Sequence, residues 1–166
     1  HLTFIGGGGA ENYAKEYITK NKLDDCVTLS GWANSSELNN FLAESDIFVL
    51  PSWSEGLPNA MIEAMAAKLA VVVTSVGVIT DYIQNEKHAL IVPPRNVELL
   101  EESLKKLIIN IDLRTSIALE GHSLAVTSFS VESNMTILGD VIEDLIENSR
   151  NGITGSKKGP SKLTLQ

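Results

Sequence analysis

Apolar residues in this chain fall into short continuous runs, separated by longer stretches in which they recur every three or four positions. Residues 2–5, 27–30, 47–50, 71–74 and 89–92 are runs bounded by glycine, proline or polar residues, and each predicts a strand. Val71-Val72-Val73 shows no polar alternation, which predicts burial on both faces, as in a parallel sheet. Helical spacing fills the intervals. Residues 10–21 place Tyr13, Tyr17 and Ile18 on one face, and Ser35 or Ser36 caps a helix to about residue 43 with Leu38, Phe41 and Leu42 inward. Residues 59–68 form a third helix, and a short helical piece runs through Asp81, Tyr82 and Ile83. From Asn96 the pattern is helical throughout. Leu99, Leu100, Leu104, Leu107 and Ile108 make one stripe, and Asp112 caps a helix to about residue 127. Residues 132–148 make the last, with Ile137, Leu138, Val141, Ile142 and Leu145 inward.

Strands alternating with helices at this spacing predict an α/β fold, a doubly wound parallel sheet followed by C-terminal helices. Residues 1–148 are expected to form one domain. Residues 149–166 turn to Gly, Ser, Lys and Pro and are expected to be a flexible tail. In such a sheet ligands bind beyond the carboxyl ends of the strands. Four segments follow strands and should share that rim: Gly6-Gly7-Gly8-Gly9, Gly31-Trp32, residues 51–58, and the turn at Gly77.

The richest of these is Pro51-Ser52-Trp53-Ser54-Glu55-Gly56-Leu57-Pro58-Asn59-Ala60. It leaves a strand, turns at Gly56, and enters a helix with Pro58 expected at the first helical position. A helix N-terminus offers free N–H groups and a positive dipole end to an anion. Glu55 in the turn and Glu63 on the helix flank it, so a phosphate site is bordered by carboxylates able to accept from hydroxyls. That combination points to a sugar nucleotide. Gly6, Gly7 and Gly8 would let main chain approach a ligand closely, although Glu11 occupies the last glycine position of a dinucleotide fingerprint. Trp32 and Trp53 could stack on a base or sugar, but a partly buried packing role is expected for both. His88 and His122 have no partner at metal-ligand spacing and are expected on the surface or in packing.

Composition narrows the class. The 166 residues, 43% hydrophobic and 20% charged, suit one globular domain. Cys26 is the only cysteine, which excludes an intrachain disulfide and a cysteine metal cage. The net charge is −8, with all 21 acidic residues before Arg150, so nucleic acid is not an expected partner. No run approaches the roughly 20 apolar residues of a membrane span, and the first residues do not read as a signal peptide. A cytoplasmic location is expected. The opening directly on a strand creates the expectation of a segment cut from a longer chain.

The sequence Ser52-x-x-Glu55-Gly56-x-Pro58-x-x-x-x-Glu63-Ala64-Met65-Ala66 resembles the Glu-x7-Glu signature of retaining glycosyltransferases of family 4. The likeness continues through Ile5-Gly6-Gly7-Gly8, residues 27–31, residues 45–52, Val92-Pro93-Pro94 and Phe129-Ser130-Val131-Glu132. It implies the nucleotide-sugar-binding C-terminal half of a two-domain GT-B enzyme. In this resemblance Glu63 accepts from the ribose hydroxyls and Glu55 from the donor sugar. The main chain of Gly56, Leu57, Pro58, Asn59 and Ala60 holds the diphosphate and sugar, while Gly6, Gly7, Gly8, Gly31 and Trp32 lie beside the nucleotide. The implied reaction transfers sugar from a nucleotide-diphosphate donor to a glycan or lipid-linked acceptor, the acceptor being bound by an N-terminal domain absent here. The full-length protein would then associate peripherally with the inner face of the membrane. With no Asp-x-Asp, neither a metal nor another cofactor is expected.

The chain departs from the family at Lys68-Leu69-Ala70-Val71, where Gly-x-Pro-Val is usual, at Gly77-Val78 for a double glycine, at Asp81 for Glu, and at His88-Ala89 for Asn-Gly. The family's domain also begins with a strand and helix that nothing before Leu2 supplies. In the family that strand is central and carries diphosphate-binding Arg and Lys, so the isolated chain is expected to be inactive. Two alternatives remain: another GT-B enzyme, such as a glycogen-synthase-like transferase or an epimerase, and a non-catalytic nucleotide-sugar-binding module.

Overall fold

The computed structural model describes residues 1–150. Apart from its first two residues, the expected tail from residue 149 therefore lies outside the described residues. The order is β1 (Leu2–Ile5), α1 (Glu11–Lys20), β2 (Val27–Gly31), α2 (Ser35–Glu44), β3 (Ile47–Leu50), α3 (Asn59–Ala66), β4 (Ala70–Thr74), α4 (Ile79–Tyr82), β5 (Leu90–Val92), α5 (Val97–Ile109), α6 (Ile111–Ser128) and α7 (Val131–Arg150). All strand pairings within the sheets are parallel. They fall into two sheets, β1-β2 and β3-β4-β5. This is the expected α/β parallel-sheet architecture with C-terminal helices.

β4 lies at the centre of its sheet, and its valines divide the core. Val71 and Val73 face one layer with Met61, Ala64 and Met65 of α3, Ile79, Ile83 and Ala125. Ala70 and Val72 face the other with Leu90, Val92, Leu107, Ile117 and Ala118. A run apolar on both faces is what a strand between two helical layers requires. Each fully buried valine stabilises the fold by about 1.5–3 kcal/mol. In the N-terminal sheet the strands are half-buried or exposed and α1 buries no residue. Tyr13 and Tyr17, on the apolar face expected of this helix, are exposed.

Local chemistry explains several boundaries. Asn34, rather than Ser35 or Ser36, caps α2: its side chain accepts from Ser36 and Glu37 N–H while Glu37 accepts from Asn34 N–H, at 2.8–3.0 Å. Asn110, not Asp112, caps α6 by accepting from Leu113 N–H. In both cases the cap lies one or two positions earlier because only that residue leaves the helix in extended backbone. At the end of α3, Lys68 takes φ 63°, with its N–H on Met65 O and Leu69 N–H on Ala64 O. This is the helix stop that glycine usually makes, so the substitution at Lys68 leaves the geometry in place.

The C-terminal helices are less covered than their stripes predict. Leu107 is buried, but Leu99 and Ile108 are exposed, as are Ile137, Leu138, Val141, Ile142 and Leu145 of α7. A stripe records which face gains by burial, not whether anything lies against it. Among the described residues no helix is long and apolar enough to cross a membrane.

His88 is buried before β5. Its Nδ1 accepts from Gln84 N–H at 3.2 Å, so that nitrogen carries no proton in the fold. Burial holds its pKa below the ordinary 6.5, assisted by Lys87 and opposed by Glu120. The unfolded chain therefore binds the proton more readily, and stability should fall as pH drops below about 6.5. Denaturant midpoints between pH 7.5 and 5.5 should decline less steeply in His88→Asn than in the wild type. His122 serves packing in a different way, its Nδ1 lying 2.9 Å from Ala66 O at the end of α3.

Candidate active site

The site begins where β3 ends. Residues 51–58 form no regular structure and are fastened by a few specific contacts. Thr74 Oγ1, at the end of β4, donates to Ser52 O at 2.6 Å, and Ser52 Oγ donates to Glu55 Oε1 at 2.7 Å. Val78 N–H donates to Gly56 O at 3.2 Å. The half-buried Glu55 carboxylate is thus oriented by its own turn, and that turn is anchored to β4 and the residues after it.

Gly77 closes this arrangement. It takes φ +59°, and a Cβ there would overlap the carbonyl oxygens of Glu55 and Gly56. Sequence alone placed Gly77 on the rim but gave it no role. The weak signals were a glycine just past a buried strand and Thr74 as the polar end of an apolar run. Val78, one residue on, is exposed and uses its main chain, not its side chain, to hold the turn.

Pro58 stands at the N-cap of α3, one position before its expected place, with φ −75° and ψ 121°. Its extended ψ keeps it outside the helix, where its missing N–H is again not needed. Pro58 O accepts from Met61 and Ile62 N–H, and no side chain caps the helix. The first N–H groups, on Asn59 and Ala60, are left for an outside acceptor. Met61, Ala64 and Met65 turn inward while Asn59, Ala60 and Glu63 are exposed. Glu63 therefore stands one turn along the same face from the free N–H groups. Glu55 lies on the turn before those donors and Glu63 on the first turns of the helix after them.

The glycine segments form a second cluster. Gly6 N–H donates to Gly31 O at 2.7 Å, and both glycines have positive φ, at 119° and 70°. Gly7 lies under the Trp32 indole: a Cβ there would come within 3.0 Å of Nε1. Gly8 has open space around it. Trp32 and Trp53 are 83% and 70% exposed, so neither has the partly buried packing role expected of it. Among the described residues no hydrogen bond or ion pair joins this cluster to the Glu55–Glu63 cluster. Nor does any group of three or more His, Cys, Asp or Glu side chains there have the arrangement to hold a metal ion.

The chain is similar to several known glycosyltransferases. The chain is 35% identical over 111 residues to the amylovoran biosynthesis glycosyltransferase AmsK of Erwinia amylovora, covering 63% of this chain and 27% of that protein. It is 26% identical over 152 residues to the UDP-Gal:alpha-D-GlcNAc-diphosphoundecaprenol alpha-1,3-galactosyltransferase of Escherichia coli, covering 89% of this chain and 38% of that enzyme. It thus spans well under half the length of these curated relatives. Among solved structures, the C-terminal domain of the group 1 glycosyl transferase LpcC from Francisella tularensis superimposes with a TM-score of 0.67 at 28% identity. That match covers 74% of this chain and 65% of that domain. The architecture is that of GT-B, Rossmann-like glycosyltransferases. The pattern of the "Glycosyl transferases group 1" family matches residues 1–122, and the chain belongs to that family.

Proposed function

We infer that this chain is the donor-binding part of a retaining glycosyltransferase of family 4, which moves a sugar from a nucleotide-diphosphate sugar to a glycan or glycolipid acceptor. The observation that carries this reading is the α3 entrance, with the Asn59 and Ala60 N–H groups free and Glu63 on the same exposed face. Glu55, oriented by Ser52 on the preceding turn, completes the set. Cleavage of the donor builds negative charge on the leaving diphosphate, and fixed N–H donors at a helix N-terminus stabilise that charge. Glu63 accepts from the ribose diol and Glu55 from the sugar, charge-assisted bonds being the stronger kind. Gly6, Gly7, Gly8, Gly31 and Trp32 border the nucleotide. The donor and lipid-linked acceptor named for the Escherichia coli relative support the class of both partners. No metal or other cofactor enters this scheme.

The acceptor is assigned to a second domain, and the full-length protein to the membrane's inner face, where lipid-linked acceptors are presented. The test is a panel of UDP-, GDP- and ADP-sugars offered to the full-length protein, read as thermal stabilisation and as donor hydrolysis. One nucleotide series should both stabilise the protein and be turned over. Stabilisation without hydrolysis or transfer would make it a non-catalytic binding module, and no stabilisation by any member would refute the donor site.

A further inference from the structure

The turn that carries Glu55 is held on two sides, and only one of them involves β4. Thr74 and Val78 secure Ser52 and Gly56. Between those points in the chain lies Trp53, whose side chain is 70% exposed. Arg95, from the segment that follows β5, sets its guanidinium carbon 4.7 Å from the centre of the Trp53 ring. Arg95 is also the only cation in the described loops that follow the strands. It holds φ 63°, in the left-handed region that Lys22, Lys68 and Glu86 also occupy. From the end of β5 it reaches across to the turn that follows β3.

We propose that Arg95 is a positioning residue for Glu55: stacked on Trp53, it fastens the outer side of the turn and fixes where the carboxylate meets the donor sugar. This rests on the reading of Glu55 given above. A guanidinium over an indole is held by the negative face of the ring, and at an exposed site the attraction is modest. Modest strength suits a contact that selects one position of a turn already anchored at Ser52 and Gly56. Arg95 contributes to sugar discrimination through Trp53, without itself touching the donor.

The test uses Arg95→Gly, Trp53→Ala and the double variant in the full-length protein. Glycine accepts φ 63° without strain, so Arg95→Gly should melt no lower than the wild type and any loss it shows is not unfolding. In the ligand-free protein, hydrogen exchange of the Val78 N–H, which donates to Gly56 O of this turn, should quicken by about two- to five-fold in each single variant, and no further in the double. The preference between the best and second-best sugar nucleotide should shrink by a similar factor, about two- to five-fold, while affinity for the free nucleoside diphosphate stays unchanged. Arg95→Lys, which keeps the charge but not the planar stack, should recover part of the effect.

Unchanged exchange in either single variant would overturn the proposal, as would additive losses in the double. Weaker nucleoside diphosphate binding in Arg95→Gly alone would make Arg95 a direct phosphate ligand instead. A much larger loss in Trp53→Ala than in Arg95→Gly would make Trp53 the sugar's own contact. Because exchange is read without donor, the latch can stand even if no sugar nucleotide binds, which separates its failure from that of the site reading.

Discussion

Gly77→Ala should cost the protein stability and donor binding together. Backbone strain is not the main reason. Lys22, Lys68, Glu86 and Arg95 all hold φ between 56° and 63°, so this fold tolerates side chains in the left-handed region. What distinguishes Gly77 is its contact: a Cβ there would overlap the main-chain carbonyl oxygens of both Glu55 and Gly56. Neither oxygen can swing aside as a flexible side chain could. The turn must move as a unit, pulling on Val78 N–H and on the Ser52 anchor to Thr74. Strain and a displaced turn together should destabilise by roughly 2–4 kcal/mol. A displacement on the order of 1 Å at a reacting site can lower turnover by about 100-fold. Melting temperature and donor turnover of Gly77→Ala in the full-length protein would show both effects. Wild-type values for both would mean that Gly77 does not buttress the turn.

Glu63→Ala should weaken every nucleotide sugar, and the free nucleotide equally, while leaving the fold intact. Glu63 is exposed on α3, and alanine is the better helix former, so no packing is lost. A hydrogen bond to a charged group contributes about 1.5–3 kcal/mol, so losing the ribose contact proposed for Glu63 should reduce affinity by roughly 10- to 100-fold. Glu55→Ala should behave differently, keeping free nucleoside diphosphate affinity and losing discrimination among sugars. Titration calorimetry with the nucleoside diphosphate and two of its sugars separates the two roles. Equal loss of free nucleotide in both variants would show that the assignments of Glu55 and Glu63 are wrong.

The two cases differ in how much the linear sequence discloses. The place of Glu63 on α3 was readable because the helix and its spacing from Glu55 are local: residues eight apart across one turn and one helix entrance. Gly77 and Glu55 are 22 positions apart, and only the parallel pairing of β3 with β4 brings their segments together. Arg95 and Trp53 are farther apart still, and meet because the end of β5 lies beyond β4 in the same sheet. Caps show the same limit on a smaller scale. Asn34, Ser35 and Ser36 are all competent N-caps, and the choice fell to the residue whose backbone stayed extended and whose third neighbour, Glu37, could reach back.

By itself, the sequence determined the alternation of strands and helices, the two-faced burial of Val71-Val72-Val73, and the carboxylates around a helix entrance. These follow from periodicity, backbone propensity and chemistry within one turn of the chain. Tertiary structure alone decided that Trp32 and Trp53 stand exposed, that the α7 stripe faces outward, and that the Glu55 turn rests on Gly77 and Thr74. Burial and long-range contact depend on what other segments present, and a residue's own neighbours in sequence carry no record of them.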